Sequence, residues 1–182
     1  MSLIPVFQID FWTGWRFSVV IVIFYLGMFL TFPAELSTRF GVGQNLGAIS
    51  RLSNIFFGAP ILIAAFTPLK LNTLWLWVGA GLFISGIVGS CIALYYYSYA
   101  PANRFVTKGI YRFSRNPVYV LSYIITLGIG IATASWLIIL CVICQIAVMR
   151  RIIKAEDSYC LEKYGDSYRE YMEDIPRYFI FF

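Results

Sequence analysis

The sequence predicts an all-α integral membrane protein with five transmembrane helices, the last two forming a helical hairpin, and cytoplasmic C-terminal helices that cap a pocket. Its 182 residues are 60% hydrophobic and only 13% charged, whereas a soluble domain has about 25% charged residues. Several uncharged stretches approach the ~20 residues that a helix needs to cross a bilayer. The length suits a single domain, residues 1–182, with three spans in residues 1–103 and the other elements in residues 104–182.

The first two spans are predicted from uncharged stretches on either side of a polar loop. Residues 1–15 form a short amphipathic segment whose aromatic side chains suit the headgroup level. Span one runs from Phe17 to Ala34, and span two runs from Leu52 to Leu69 with a kink at Pro60. The loop between them, Glu35 to Arg51, is rich in glycine. No strand pattern precedes it and no lysine–serine or lysine–threonine pair follows, which argues against a phosphate-binding loop.

Span three lies within the uncharged stretch from Leu71 to Asn103, which predicts one tilted helix with a tail. Its tyrosines near residue 97 mark the exit through the interface. Small residues at four-residue spacing let helix backbones approach closely, so we expect this helix to be the packing centre. They are Gly81, Ser85 and Gly89, with Gly86 and Ser90 beside them.

Spans four and five are predicted from the uncharged stretch between Asn116 and Met149, which is too long for one crossing. Glycine, threonine and serine fall in its middle, so we predict a helical hairpin that turns near Thr133. Each arm is short, which places the turn shallow of the far leaflet or in a thinned bilayer.

The chain becomes strongly charged from Arg150 onwards. Span five is expected to continue into water as far as Tyr164, with Gly165 as its stop. Ser167 and Glu170 have the spacing of a capping box, which predicts a further helix. Three tyrosines then share a face that lies against the membrane or over a pocket, unless the segment is only a solvated tail. They are Tyr164, Tyr168 and Tyr171.

The distribution of basic residues predicts the orientation. Five spans put the 35–51 loop, the 98–116 loop and the C-terminal segment on one side of the membrane. That side holds all 14 basic residues except Arg16 and Lys70. By the positive-inside rule, we expect the N-terminus outside and the C-terminus in the cytoplasm.

The composition argues against several classes of function. Without histidine, the chain lacks the commonest general base and metal ligand. Cys141 and Cys144 form a C-x-x-C pair in an apolar stretch, with no second pair to reach the about four ligands of a zinc site. No metal site is therefore predicted. No charge lies near a predicted midplane, which disfavours a channel or pump. The topology explains the net charge of +5, so no nucleic-acid partner is predicted, and the oligomeric state is open.

The candidate site combines the stretch from Lys108 to Tyr119 with Glu156 and Asp157. The stretch opens span four and the acidic pair follows span five, so a hairpin brings the two together. Asn116 and Pro117 suit the N-cap and first position of a helix, whose free N–H groups attract anions. Such a mouth suits an anionic, nucleotide-like cofactor, with acids for a ribose or ammonium group and tyrosines for a purine. A basic loop that only binds lipid headgroups is the alternative.

These residues resemble a family of membrane methyltransferases. KGIYRFSRNPVY is similar to the glycine–x–tyrosine–arginine and arginine–histidine/asparagine–proline–x–tyrosine motifs of isoprenylcysteine carboxyl methyltransferases and phospholipid N-methyltransferases. Glu156-Asp157 resembles their paired acids, residues 164–171 their aromatic–glycine–tyrosine run, and residues 175–178 their closing proline–arginine. The resemblance covers about residues 104–180. Asn116 stands where isoprenylcysteine enzymes carry histidine, which favours the broader lipid-methylating branch.

The resemblance implies a methyltransferase that uses S-adenosylmethionine at the cytoplasmic face. The methyl acceptor would be lipophilic, either a prenylated cysteine, a phospholipid or a similar molecule among the membrane lipids. Arg151 and Glu156 would be catalytic, with Arg151 positioning or neutralising the acceptor. The cofactor would contact Gly109, Tyr111, Arg115, Asn116, Pro117, Tyr119, Glu156 and Asp157.

Two other functions fit the same stretch. Sterol reductases that use NADPH resemble this C-terminal pattern, although they carry an acid just after the tyrosine, where this chain has Val120 and Leu121. A non-catalytic membrane scaffold is the other alternative. Methyl transfer suits an inventory without histidine, because an already activated methyl group needs chiefly alignment.

Overall fold

The computed structural model describes residues 11–31, 47–101 and 104–179. This part of the chain is helical and contains no strand beyond one isolated bridge between Thr13 and Pro68. The all-α class is therefore confirmed. The helices are α1 (Trp15–Thr31), α2 (Ala48–Ala65), α3 (Leu74–Ser98), a 3-10 helix (Gly109–Arg112), α4 (Pro117–Ala132), α5 (Trp136–Tyr164) and α6 (Asp166–Asp174).

Two helices, α3 and α5, are long and apolar enough to cross a membrane. The apolar parts of the other three, Trp15–Gly27, Arg51–Ala65 and Pro117–Ala132, are shorter. All five lie where spans are predicted, but the five-span topology and its orientation stay predictions. The N-terminal segment up to residue 10, the end of predicted span one and most of the 35–51 loop lie outside the described residues.

Helix α2 contains Pro60 and is stabilised by a side chain from α5. Proline has no N–H, so the carbonyl four residues earlier, that of Phe56, loses its helical partner. The Gln145 side chain, which is 1% exposed, donates from Nε2 to this carbonyl at 2.7 Å. A polar residue in an apolar helix is thus placed where the neighbouring backbone lacks a donor.

Helices α3 and α4 pack so closely that glycine backbones touch. A Cβ atom added at Gly79 would overlap the backbone of Gly128 and Ala132, and one added at Gly128 would lie 2.7 Å from the Phe83 nitrogen. Further along, Gly86 and Gly89 face side chains of α4. Helix α3 is therefore confirmed as a packing element.

Of the small residues predicted on α3, Gly86, Gly89 and Ser90 are buried, but the four-residue row is wrong in two of its members, Gly81 and Ser85. Gly81 has open space at its Cβ position and Ser85 is exposed, so only Gly89 of that row packs against α4. Four residues advance a helix by about 400°, so a strict four-residue row drifts by about 40° per step away from a contact face. The buried row instead follows the 3.6-residue period, at Gly79, Phe83, Gly86, Gly89, Ser90 and Ala93.

The hairpin between α4 and α5 turns where the sequence predicts. Thr133 follows α4, and its Oγ1 donates back to the Ile129 carbonyl at 2.8 Å. Ala134 adopts a left-handed φ of 51°, and the Ser135 N–H bonds to the Gly130 carbonyl at 2.9 Å. The turn therefore satisfies the end of α4 locally and sends α5 back beside it. This brings the start of α4 to the charged half of α5.

We expect Gln145 and Pro60 to be energetically coupled. Gln145→Leu should destabilise the natural chain by about 1 kcal/mol more than it destabilises a Pro60→Ala variant, because the alanine introduced there would supply the missing N–H to the Phe56 carbonyl. A double-mutant cycle of reversible unfolding in mixed micelles measures this coupling. Equal effects of Gln145→Leu in both backgrounds would contradict it.

Candidate functional site

A cavity of about 370 Å³ lies between the start of α4, the charged half of α5 and α6. Its volume falls in the range of small-molecule sites, about 300–1,000 Å³. Apolar, aromatic, basic and acidic side chains all contribute to its surface. The lining residues are Tyr97, Arg104, Phe105, Val106, Tyr111, Arg115, Asn116, Pro117, Val118, Tyr119, Glu156, Asp157, Tyr159, Cys160, Lys163, Tyr164, Tyr168 and Tyr171.

One wall of the cavity is the N-terminus of α4. Pro117 is the first helical residue, as predicted, and Asn116 is the N-cap residue. The Asn116 side chain makes no capping bond, and its Nδ2 donates to the Arg177 carbonyl at 3.4 Å. The first N–H groups of a helix have no partner within the helix. Since Val118 and Tyr119 line the cavity, this wall presents backbone donors suited to an anion.

A hydrogen bond joins this wall to α5 across the cavity. The Tyr119 hydroxyl donates to Glu156 Oε1 at 2.6 Å. Glu156 follows the apolar part of α5, residues 136–149, by about two helical turns. Asn116 and Glu156 thus line one cavity, as the hairpin prediction requires.

Burial changes the proton affinity of Glu156. Loss of solvent raises the pKa of its carboxyl to about 7, with a smaller raising effect from the charge of Asp157 and an opposing effect from the Tyr119 hydrogen bond. Glu156 therefore exchanges a proton near neutral pH. By contrast, burial raises the pKa of the Cys160 thiol to about 11, so this lining cysteine stays protonated.

Asp157 differs from Glu156 because both of its oxygens are engaged. Tyr168 donates its hydroxyl to Oδ1 at 2.9 Å, and Arg177 Nε donates to Oδ2 at 3.0 Å. The residue is 5% exposed. Asp157 therefore fastens α6 and the following segment to α5, and Glu156 is the lining carboxylate with an oxygen that bonds no described residue.

Arg115 is a buried cation that forms no ion pair with any described residue. It is 8% exposed and lines the cavity, and its Nε and Nη1 atoms are buried with no hydrogen-bond partner. Its backbone is fixed, since the Arg115 N–H bonds to the Pro176 carbonyl at 3.0 Å. A buried guanidinium is costly unless paired, so this position favours an anionic group in the cavity.

An aromatic cluster covers one side of the cavity. The Phe105 ring centroid lies 5.4 Å from that of Tyr164 and 5.1 Å from those of Tyr168 and Tyr171. Tyr171 donates its hydroxyl to the Tyr111 carbonyl at 2.8 Å. The predicted tyrosine face therefore lies over a pocket rather than against the membrane. The edge-to-face and tilted rings of this cluster leave apolar ring surface that suits a flat ligand group.

The start of α6 departs from the sequence prediction. Gly165, with φ of 60°, ends α5 as predicted, but it is also the N-cap of α6, which begins at Asp166. Ser167 is already inside the helix and donates its hydroxyl back to the Tyr164 carbonyl at 2.8 Å. The capping box is therefore wrong. Gly165 is the single residue between the two helices, so Ser167 cannot serve as the N-cap.

The structure places the predicted site residues unevenly. Gly109 and Arg151 are not among the lining residues. Gly109 adopts φ of 63° and lies against the Tyr96 ring, which any Cβ atom there would overlap. Arg151 is exposed on α5. The other predicted residues line the cavity, and their roles stay predictions. They are Tyr111, Arg115, Asn116, Pro117, Tyr119, Glu156 and Asp157.

Several lining residues are missed by the sequence reasoning. Tyr97 is predicted only as an interfacial residue, yet its ring centroid lies 6.4 Å from that of Tyr111. Phe105 and Lys163 belong to none of the motifs that the sequence shows. Arg177 belongs to the closing motif, and only the fold reveals its bond to Asp157.

Comparison with known proteins gives one match. The family model of phospholipid methyltransferases matches residues 74–167, just over half of the chain. The matched segment starts at the first residue of α3 and extends into α6, so it includes both walls of the cavity. The search of curated proteins found no match, and the search of solved structures found none either.

We expect the Arg177–Asp157 ion pair to stabilise the site far more than the exposed pair Arg169–Asp166. Arg177→Gln should cost about 2–3 kcal/mol, because it leaves the buried Asp157 without its counter-charge. Arg169→Gln is the matched control and should cost under about 0.5 kcal/mol. Thermal unfolding followed by tryptophan fluorescence measures both. Equal shifts in Tm would show that the buried pair does not hold the segment.

Proposed function

Because the chain belongs to the phospholipid methyltransferase family, we propose that it transfers a methyl group from S-adenosylmethionine to a lipid acceptor at the membrane interface. One observation carries this proposal. One cavity contains both the buried Arg115, whose Nε and Nη1 bond no described residue, and Glu156, whose Oε2 bonds none either. These groups suit a ligand with both an anionic and a cationic end.

The residues of the cavity fit the proposed cofactor. Arg115 would pair with its carboxylate, assisted by the backbone N–H groups at the start of α4. The rings of Phe105 and Tyr171 offer a surface for the purine. Glu156 would face the cationic end, since Asp157 already binds Tyr168 and Arg177.

Glu156 also has the properties of a proton acceptor. S-adenosylmethionine supplies an activated methyl group when bound, so the protein has chiefly to align the acceptor. An amine acceptor must lose a proton, and a base works best when its pKa lies near the working pH. Glu156 meets this condition because it is buried, and its Oε2 atom bonds no described residue. Tyr119 holds the carboxylate in place.

This proposal drops the predicted catalytic role of Arg151 and keeps the predicted membrane topology. Arg151 is exposed outside the cavity, so we assign it no contact with the reacting atoms. The apolar helices and the family make this chain a membrane protein. We further propose that it crosses the bilayer five times with the cavity at the cytoplasmic face, since basic residues such as Arg112, Arg150 and Lys154 cluster at that end.

We expect Arg115→Ala and Glu156→Ala each to weaken binding of S-adenosylhomocysteine by at least about 10-fold, because each leaves a charged ligand group without its partner. Arg112→Ala is the matched control, since Arg112 is exposed and lies outside the cavity. Calorimetry on detergent-solubilised protein measures the affinity, with NADPH as a ligand that should give no heat. Unchanged affinity in both variants would mean that the site is misplaced.

The pH dependence tests Glu156 as a proton acceptor. For an amine acceptor, kcat/KM should rise through a midpoint near pH 7, because the ionised carboxylate is the active form. Tyr119→Phe should move this midpoint upward. The Tyr119 hydrogen bond lowers the pKa of Glu156 by favouring the ionised carboxylate, so its loss raises that pKa. A rise caused only by titration of the acceptor would keep the same midpoint in both proteins and would refute this role. A carboxylate acceptor would show no such rise.

A further inference from the structure

The cavity has more basic side chains than are required to bind the proposed cofactor. We call its solvent-exposed part, with Arg104 and Lys163, the cavity mouth. Three cations line the cavity, Arg104, Arg115 and Lys163, against two carboxylates. One of these, Asp157, is neutralised by Arg177 from outside the lining. Within the described ranges, neither Arg104 nor Lys163 forms an ion pair with a carboxylate.

Arg104 and Lys163 both line the cavity, and each precedes a residue of the aromatic cluster in the chain. The Lys163 ammonium lies 5.3 Å from the Tyr164 ring centroid and 5.6 Å from that of Tyr159. The Phe105 ring, which follows Arg104 in the chain, lies 5.4 Å from the Tyr164 ring. Cation–π contacts of this kind restrain a lysine that would otherwise extend into water. Both cations are therefore linked to this cluster, Arg104 through its chain neighbour Phe105 and Lys163 through its ring contacts.

Charge balance points to an anion that the cofactor does not supply. S-adenosylmethionine has a sulfonium, an ammonium and a carboxylate, so it enters with a net positive charge. In the proposed binding mode, Arg115 pairs with the carboxylate of the cofactor, and Glu156 pairs with its cationic end. Arg104 and Lys163 then have no partner in the cofactor, and they leave an excess of positive charge that a negatively charged second substrate would balance.

We propose that Arg104 and Lys163 bind the phosphodiester of the lipid acceptor and so position its headgroup beside Glu156. This inference rests on the proposed function and adds the residues that select the acceptor. A charged phosphate oxygen accepts strong hydrogen bonds from arginine and lysine. The amine of such a lipid is a few bonds from its phosphate, so the anchored phosphate keeps the amine within the cavity. The two cations are positioning residues.

Steady-state kinetics test this assignment with a matched pair of double variants. Arg104→Gln/Lys163→Gln removes the two cavity cations, and Arg112→Gln/Lys154→Gln removes two exposed cations outside the lining. For short-chain phosphatidylethanolamine, the first variant should raise KM about 10-fold, with kcat within about 2-fold. The KM for a phosphate-free alkylamine should stay unchanged. Equal KM changes for both acceptors, or no change for either, would overturn the proposal.

Binding without turnover separates this inference from the proposed function. The first double variant should bind S-adenosylhomocysteine as tightly as the natural chain but lose about 10-fold in affinity for short-chain phosphatidylethanolamine. The control variant should keep both affinities. Unchanged lipid affinity with intact S-adenosylhomocysteine binding would overturn the inference alone. Absence of S-adenosylhomocysteine binding in the natural chain would overturn the proposed function.

Inorganic phosphate distinguishes the source of the anion. Since the charges at the mouth are accessible, lipid affinity should fall with rising ionic strength in the natural chain and less steeply in the first double variant. Inorganic phosphate at equal ionic strength should compete with the lipid only weakly. If inorganic phosphate binds tightly and displaces the lipid, Arg104 and Lys163 form a site for a free anion. That result would overturn the lipid assignment.

Discussion

The hydrogen bond between Tyr119 and Glu156 is the contact on which the site depends, because it joins the two arms of the hairpin at the end away from the turn. A carboxylate at the edge of an apolar bundle is tolerated only with a donor beside it. The turn at Thr133 fixes how far α5 returns along α4, and this register brings Glu156 level with the first turn of α4. The cavity forms between these elements and α6, which covers it.

Two neighbouring acids do different work because they point in different directions. Successive residues on a helix are separated by about 100°, so Glu156 faces Tyr119 on α4 while Asp157 faces Tyr168 and Arg177. Asp157 uses both oxygens to hold the elements that cover the cavity. That arrangement frees Glu156 for a ligand. In this acidic pair, Asp157 stabilises the structure and Glu156 is available for the proposed chemistry.

The sequence predicts those features that depend on local signals and misses those that depend on tertiary contacts. Uncharged stretches and the small residues near Thr133 are enough to predict the hairpin, and the Asn116-Pro117 pair predicts where α4 begins. The Gly79–Gly128 contact is missed because a four-residue row was expected instead of the 3.6-residue period of the helix. The bonds of Arg177 and Gln145 join residues far apart in the chain. No local pattern indicates such partners, although an unpaired Phe56 carbonyl follows directly from Pro60.

Burial accounts for both halves of the proposed chemistry in a chain without histidine. Loss of water brings the pKa of Glu156 to about 7, into the range in which a base can both take and release a proton. The same loss of water makes Arg115, with two buried nitrogens that bond no described residue, a strong attractor for an anion. A site at the edge of the bilayer obtains both effects from the surrounding apolar helices. On this proposal a carboxylate takes the place of histidine as the base, because the environment gives it the proton affinity that histidine has in water.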